Sequence, residues 1–330
     1  MIINPASVAL VGGSLLGAAM VAGAAVQGWE ILRAWDLSSG SSRQLELERR
    51  TYLVSTLVGK AMVFQVVSLF LLVFTADALA PQFTGAMCAA GSLKADEHGY
   101  PALLLGLVTA VLAGLWLILD RADEQGHDYP LIRVKYAALL VLAPLVLAQA
   151  WLLGAYFLGL QPEVITSCCG SLFSAAGRGA GADLAALPPR WAGGLLLGTV
   201  GTAVAAALVF RWSGRGALVL AVSAGAALPI SLAAVVAFVS PYVYELPTHH
   251  CPFCLLQREY HWIGYPLYAS LIGGAVAGLG VGLLAPFRRV ASLATSIPLL
   301  QRRLAVLSAV ALSGFGALVA WSVLASSLRM

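Results

Sequence analysis

Eight apolar runs divide the chain, near Ser7–Gln27, Val54–Val73, Ala102–Leu119, Tyr136–Leu158, Trp191–Phe210, Ala217–Val239, Tyr260–Leu284 and Leu304–Leu324. A helix needs about 20 consecutive apolar residues to cross the hydrocarbon core of a bilayer, and each run is of that order. Only 10% of the 330 residues are charged and 60% are hydrophobic. A soluble domain is typically about 25% charged, so this polar complement is too small to cover a soluble globule. Intrinsic disorder is excluded by the same hydrophobicity. The expected fold class is all-α, a polytopic transmembrane helical bundle of about eight spans in contact with the lipid bilayer. The short connections leave no room for a soluble domain, so residues 1–330 read as a single integral membrane domain.

The net charge of +4 does not indicate nucleic acid, because the basic residues are scattered between apolar runs. Their distribution reports orientation instead. The even-numbered loops hold Lys94, Arg178, Arg190 and Arg258. The odd-numbered loops hold Arg33, Arg43, Arg49, Arg50, Arg121, Arg133, Lys135, Arg211, Arg215, Arg288, Arg289, Arg302 and Arg303. Thirteen against four places the odd loops in the cytoplasm, and both termini then face outward. Met1–Ser7 carries no positive charge, so the first run is expected to stay as an anchor and not to serve as a cleaved leader. The polar segment Arg33–Arg50 reads as a short cytoplasmic loop running into an interfacial helix start. Pro144 and Pro229 fall inside spans and are expected to kink them. Gly274, Gly278 and Gly282 form a small-residue stripe suited to close helix packing.

All five cysteines, Cys88, Cys168, Cys169, Cys251 and Cys254, fall in the three outward loops. The outer side of a bacterial inner membrane is where disulfides form and persist. The third of these loops reads His249-His250-Cys251-Pro252-Phe253-Cys254-Leu255-Leu256-Gln257-Arg258. A C-x-x-C at the mouth of a helix would place both sulfurs on one face, with the helix N-terminus favouring a thiolate at the first. On such a helix Arg258 lies one turn beyond Cys254, on the same face and at headgroup level. An arginine there is costly unless it meets an anion or a polarised group, and a quinone carbonyl is one such group. His261, Trp262 and Tyr265 could wall the same site, although Trp and Tyr are also ordinary members of the interfacial belt.

The segment Cys251–Tyr260, C-P-F-C-L-L-Q-R-E-Y, resembles the signature of the disulfide bond formation protein B family, including its Gram-positive members. Members are membrane thiol oxidoreductases that pass electrons from an extracytoplasmic thioredoxin-fold partner to quinone. The resemblance implies that Cys251 and Cys254 are the quinone-proximal redox pair and Arg258 the quinone contact. Cys168, Cys169 or Cys88 would then relay electrons from the outside dithiol protein. The vicinal pair Cys168–Cys169 can bridge itself only with strain, which makes separate destinations easier. Both Cys88 and Cys168-Cys169 stand shortly before a Gly-Ser-Leu, a hint of a duplicated loop.

A soft metal is the rival reading. Thiolates at Cys251, Cys254, Cys168, Cys169 and Cys88, with imidazoles at His249, His250 and His98, would suit copper(I), zinc or iron. That chain would be a non-enzymatic membrane subunit, working with other membrane subunits or handling metal. A haem is disfavoured because Leu255, and not histidine, follows the C-x-x-C. No phosphate-binding glycine loop occurs, and His127, among Asp123, Glu124 and Asp128, reads as solvated. Gln65 and Gln149 are the notable polar residues inside the spans, and buried acids of the sort an ion-coupled transporter needs are not evident.

Overall fold

The computed structural model describes residues 4–36, 41–161, 163–166, 173 and 179–329. The described residues form α1 (Pro5–Ala34), α2 (Ser42–Leu79), α3 (Ala89–Lys94), α4 (Gly99–Asp123), α5 (Ile132–Gly159), α6 (Ala180–Ala185), α7 (Pro189–Ser213), α8 (Ala217–Ala234), α9 (Ser240–Tyr244), α10 (Gly264–Leu283) and α11 (Ser296–Ala325). A π-helical turn, Val235–Val239, joins α8 to α9. Eight helices are long and apolar enough to cross a membrane, one for each run in the sequence. The protein is an all-α, multi-pass bundle.

Local chemistry sets the ends of these helices. Asn4 caps α1, its side chain accepting from the Ala6 N–H at 3.0 Å, and Pro5 fills the first turn, where no amide donor is needed. Helix α7 opens on Pro189 and closes at Gly214, which takes the left-handed conformation favoured by glycine. Helix α2 begins at Ser42, twelve residues before the apolar run at Val54. Its 38 residues extend for about 57 Å at 1.5 Å per residue, far beyond a hydrocarbon core of about 30 Å. The polar segment from Ser42 to Arg50 is thus helical and continuous with the apolar span.

Packing groups the chain into two compact units. The first comprises residues 1–75, 96–161 and 287–297, and the second residues 76–95, 162–286 and 298–330. In the first unit α1 and α4 pack on α5, and Gly28 gives the Tyr136 ring room to approach. The two polar residues noted inside spans have local uses here. Gln65 donates to Thr109 Oγ1 at 2.7 Å, and Gln149 lies against Gly106.

Lys135 is a correction to the sequence reading. It does not sit in a cytoplasmic loop but in the first turns of α5, fully buried. Its Nζ lies 3.0 Å from Asp120 Oδ1 and 2.8 Å from Asp123 Oδ2. Asp123 Oδ1 in turn accepts the Leu131 N–H at 2.9 Å, so the triad closes the α4–α5 hairpin. These buried acids lie at the end of α4 and not midway along a span, each paired with Lys135.

In the second unit α8 packs against α7 and α10. The glycine stripe serves this packing: a Cβ on Gly278 would strike Ala224, one on Gly282 would strike Ala221, and one on Gly274 would meet Leu312 at 2.8 Å. The small residues thus bring α8 and α11 onto α10, and Ser308 Oγ can reach the Gly274 carbonyl at 2.8 Å.

Candidate functional site

The second unit brings together three cysteines from two loops far apart in sequence. Cys88, Cys251 and Cys254 have sulfurs that all lie within 4.8 Å of one another. Cys88 Sγ is 3.6 Å from Cys251 Sγ, across a sequence separation of 163 residues. None of the three is disulfide-bonded. Their exposures are 0%, 1% and 5%, so a protein partner could reach the sulfurs only if the loops parted.

The loop that carries Cys251 is held by a defect in the helix before it. In the π turn the Ser240 N–H turns back five residues to the Val235 carbonyl, and Pro241 has no N–H to offer. The Val236 carbonyl consequently loses both amides that could have met it within the helix. His250 Nδ1 fills the vacancy at 3.0 Å. A carbonyl only accepts, so that nitrogen carries the proton. Tyr244 Oη donates to the Cys251 carbonyl at 2.5 Å, with Ser240 Oγ at 3.5 Å, and Tyr268 Oη donates to the Pro252 carbonyl at 2.8 Å.

Cys88 caps α3 with extended backbone, and polar contacts hold the peptide groups on either side of it. Asp77 Oδ1 accepts the Ala89 N–H at 3.1 Å. Gln257 Nε2 donates to the Met87 carbonyl at 2.8 Å and to Asp77 Oδ1 at 3.1 Å. A carboxylate near the end of α2 and an amide three residues beyond Cys254 therefore clasp the Cys88 segment.

Cys251 is the electrostatic centre of the group. Hydrogen bonds from the Cys254 thiol, then from the Cys88 thiol, hold its pKa well below the usual cysteine range, and the Phe253 and Cys254 backbone amides add to them. Burial opposes this shift and is outweighed. The balance of these contacts favours the thiolate form at Cys251.

The expected helix mouth is not there. Cys254–Leu256 is a 3-10 turn, Gln257 is extended, and Arg258–Tyr260 is a second 3-10 turn. His261 and Trp262 both take positive φ, and α10 begins only at Gly264. Cys251, Cys254 and Arg258 therefore share no helical face, and Cys251 does not stand at the N-terminus of α10. Arg258, His261 and Trp262 are exposed, and Tyr265 is half-buried in the first turn of α10.

The imidazoles proposed as ligands stand apart from the sulfurs. The 4.8 Å group consists, among the described residues, of the three cysteines alone. His249 lies edge-on to Tyr244 at 4.3 Å between ring centroids, and His250 is committed to Val236. His98 belongs to the first unit, where its Nδ1 pairs with Asp96 Oδ1 at 2.8 Å. Thr166 N–H donates to the Thr84 carbonyl at 2.9 Å, and Phe173 packs on Phe253. Cys168 and Cys169, which come between Thr166 and Phe173 in sequence, lie outside the described residues.

Asp77, Gln257, Tyr244 and Tyr268 were not singled out from sequence. Gln257 stands inside the C-P-F-C-L-L-Q-R string, and Pro241 five residues after Val236 marks the π turn, but neither signal names its spatial partner. The chain matches no protein-family model, no curated protein and no solved structure.

Proposed function

We propose that the chain is a membrane thiol–disulfide oxidoreductase that exchanges electrons between an extracytoplasmic dithiol protein and a membrane quinone. The observation that carries this reading is the convergence of three buried sulfurs from two loops, within 4.8 Å of one another. Three sulfurs within reach of one another suit thiol–disulfide exchange, which needs one thiolate beside a disulfide: two sulfurs bond while the third attacks or leaves. In the oxidising direction, a partner dithiol attacks a disulfide of the centre and leaves as the partner's disulfide. Two electrons and two protons then pass from the reduced pair to quinone, giving quinol. Cys251 would be the interchange thiolate, Cys254 and Cys88 its alternate bonding partners, and Arg258 with His261, Trp262 and Tyr265 the quinone side. Cys168 and Cys169 would face the partner, which the resemblance suggests has a thioredoxin fold. The basic-residue asymmetry supports a bacterial inner membrane with these loops on the periplasmic side.

One distance favours a second reading. Thiolates at about 2.3 Å from a tetrahedral zinc stand about 3.8 Å apart, close to the 3.6 Å between Cys88 and Cys251. A three-thiolate metal site in a non-enzymatic subunit would look similar. Purified protein decides between the two by thiol titration before and after reduction, alongside metal content and quinone reduction. Two extra thiols released by reductant, with quinone turnover slowed about a hundredfold in Arg258→Met, support the oxidoreductase. Stoichiometric copper, zinc or iron, with no quinone turnover, overturns it.

A further inference from the structure

The Cys251 side of the cluster is fixed from within its own neighbourhood, by Tyr244, Ser240 and Tyr268 bonding to the Cys251 and Pro252 carbonyls. Cys88 has no such covalent neighbour in its favour, because it reaches Cys251 across 163 residues of chain. The Gln257 amide spends both of its N–H groups at this junction, one on Met87 and one on Asp77. Asp77 adds the Ala89 N–H, so the residues on both sides of Cys88 are held by one connected pair of side chains. A carboxylate accepting two such donors makes stronger hydrogen bonds than a neutral oxygen.

From this we infer that Gln257 and Asp77 are positioning residues that hold Cys88 against Cys251, so that Cys251 can exchange between Cys254 in its own loop and Cys88 in the other. The inference rests on the oxidoreductase reading but is read out without turnover. Two versions of the full-length protein in detergent are needed. One carries Cys168→Ser, Cys169→Ser and Cys254→Ser, leaving Cys88 with Cys251. The other carries Cys168→Ser, Cys169→Ser and Cys88→Ser, leaving Cys251 with Cys254. Diamide, an azo oxidant, takes two electrons and two protons from each thiol pair and becomes the hydrazine as the disulfide forms.

Gln257→Leu is expected to slow Cys88–Cys251 bond formation by roughly tenfold to a hundredfold, the cost of displacing a reacting atom by about 1 Å. The Cys251–Cys254 rate should not change. Asp77→Leu should behave alike, whereas Asp77→Asn keeps the accepting oxygen without its charge and should fall between the parent and the leucine variant. A general loss of structure would slow both pairs together, so the ratio of the two rates isolates positioning. Equal slowing of both pairs, or slowing of neither, overturns the inference. A shifted ratio in a protein that never reduces quinone would uphold the positioning role and overturn the oxidoreductase reading.

Discussion

Lys135→Met should cost about 3–5 kcal/mol of stability, the usual penalty for stripping one partner from a buried ion pair. The lysine side chain is 2% exposed, and the carboxylates it meets at Asp120 and Asp123 are 12% and 0% exposed. Removing the ammonium leaves two negative groups facing each other with little water to screen them. Asp123 cannot swing away cheaply, because its other oxygen holds the Leu131 N–H at the turn into α5. Burial, and not distance, sets this magnitude. Arg121 and Glu124 are also 3.0 Å apart, but at 68% and 51% exposure, and Arg121→Ala should cost no more than about 0.5 kcal/mol. Denaturant unfolding of the detergent-solubilised protein, followed by helical circular dichroism, measures both. Adding Asp120→Asn to Lys135→Met should recover part of the loss by removing one of the stranded charges. A loss below about 1 kcal/mol in Lys135→Met would refute the reasoning, since it is what a solvated pair gives.

In reduced, metal-free protein, alkylation of Cys251 should persist at pH values below those at which an ordinary thiol of pKa about 8.5 loses its thiolate, and should fall away as the pH drops through the depressed value. Cys254→Ala should move that profile toward higher pH more than Cys88→Ala, in the order of their contributions; coincident profiles would refute it. Gly278→Ala should destabilise the second unit by about 1–3 kcal/mol through overpacking against Ala224, despite alanine's helix preference of about 1 kcal/mol. Gly273→Ala, where a Cβ meets nothing within 4 Å, should be neutral or stabilising under the same unfolding assay. A membrane-impermeant thiol reagent applied to intact, reduced spheroplasts should label at least one cysteine, and labelling seen only after lysis would reverse the proposed orientation.

Hydrophobicity made the eight spans legible because each crosses the same thickness of hydrocarbon, and length and apolar content are local properties of the string. The glycine stripe on α10 was legible for a related reason, since its spacing of four residues is itself the helical repeat. Lys135 was not. A lysine three residues from the start of a helix reads as a solvated loop charge, and the two aspartates that bury it come from the preceding helix. The span at Tyr260 was placed four residues early because the apolar count continues through His261–Ile263. Backbone conformation at His261 and Trp262, both at positive φ, interrupts the helix there, and Gly264 and Pro266 in the first turn of α10 are the sequence marks of the true start.

Finding all five cysteines in the even-numbered loops made a meeting of sulfurs conceivable, and among the described residues the three-dimensional packing brings Cys88 to Cys251 and Cys254. The sequence argument for Cys251 as the reactive group invoked a helix N-terminus that the chain does not form at that point. The thiolate is favoured by a different agency, two thiols and two local amides, which changes what the centre depends on. A helix dipole would act on Cys251 whatever the state of the loop that carries Cys88. Donation from Cys88 acts only while that loop is clasped by Asp77 and Gln257. Any event that loosens the clasp would remove one of the two thiol contacts of Cys251 and, under the proposed exchange chemistry, one of its two bonding partners in a single step. Under the proposed exchange chemistry, the acidity of Cys251 and its choice of disulfide would therefore be coupled through the same pair of side chains.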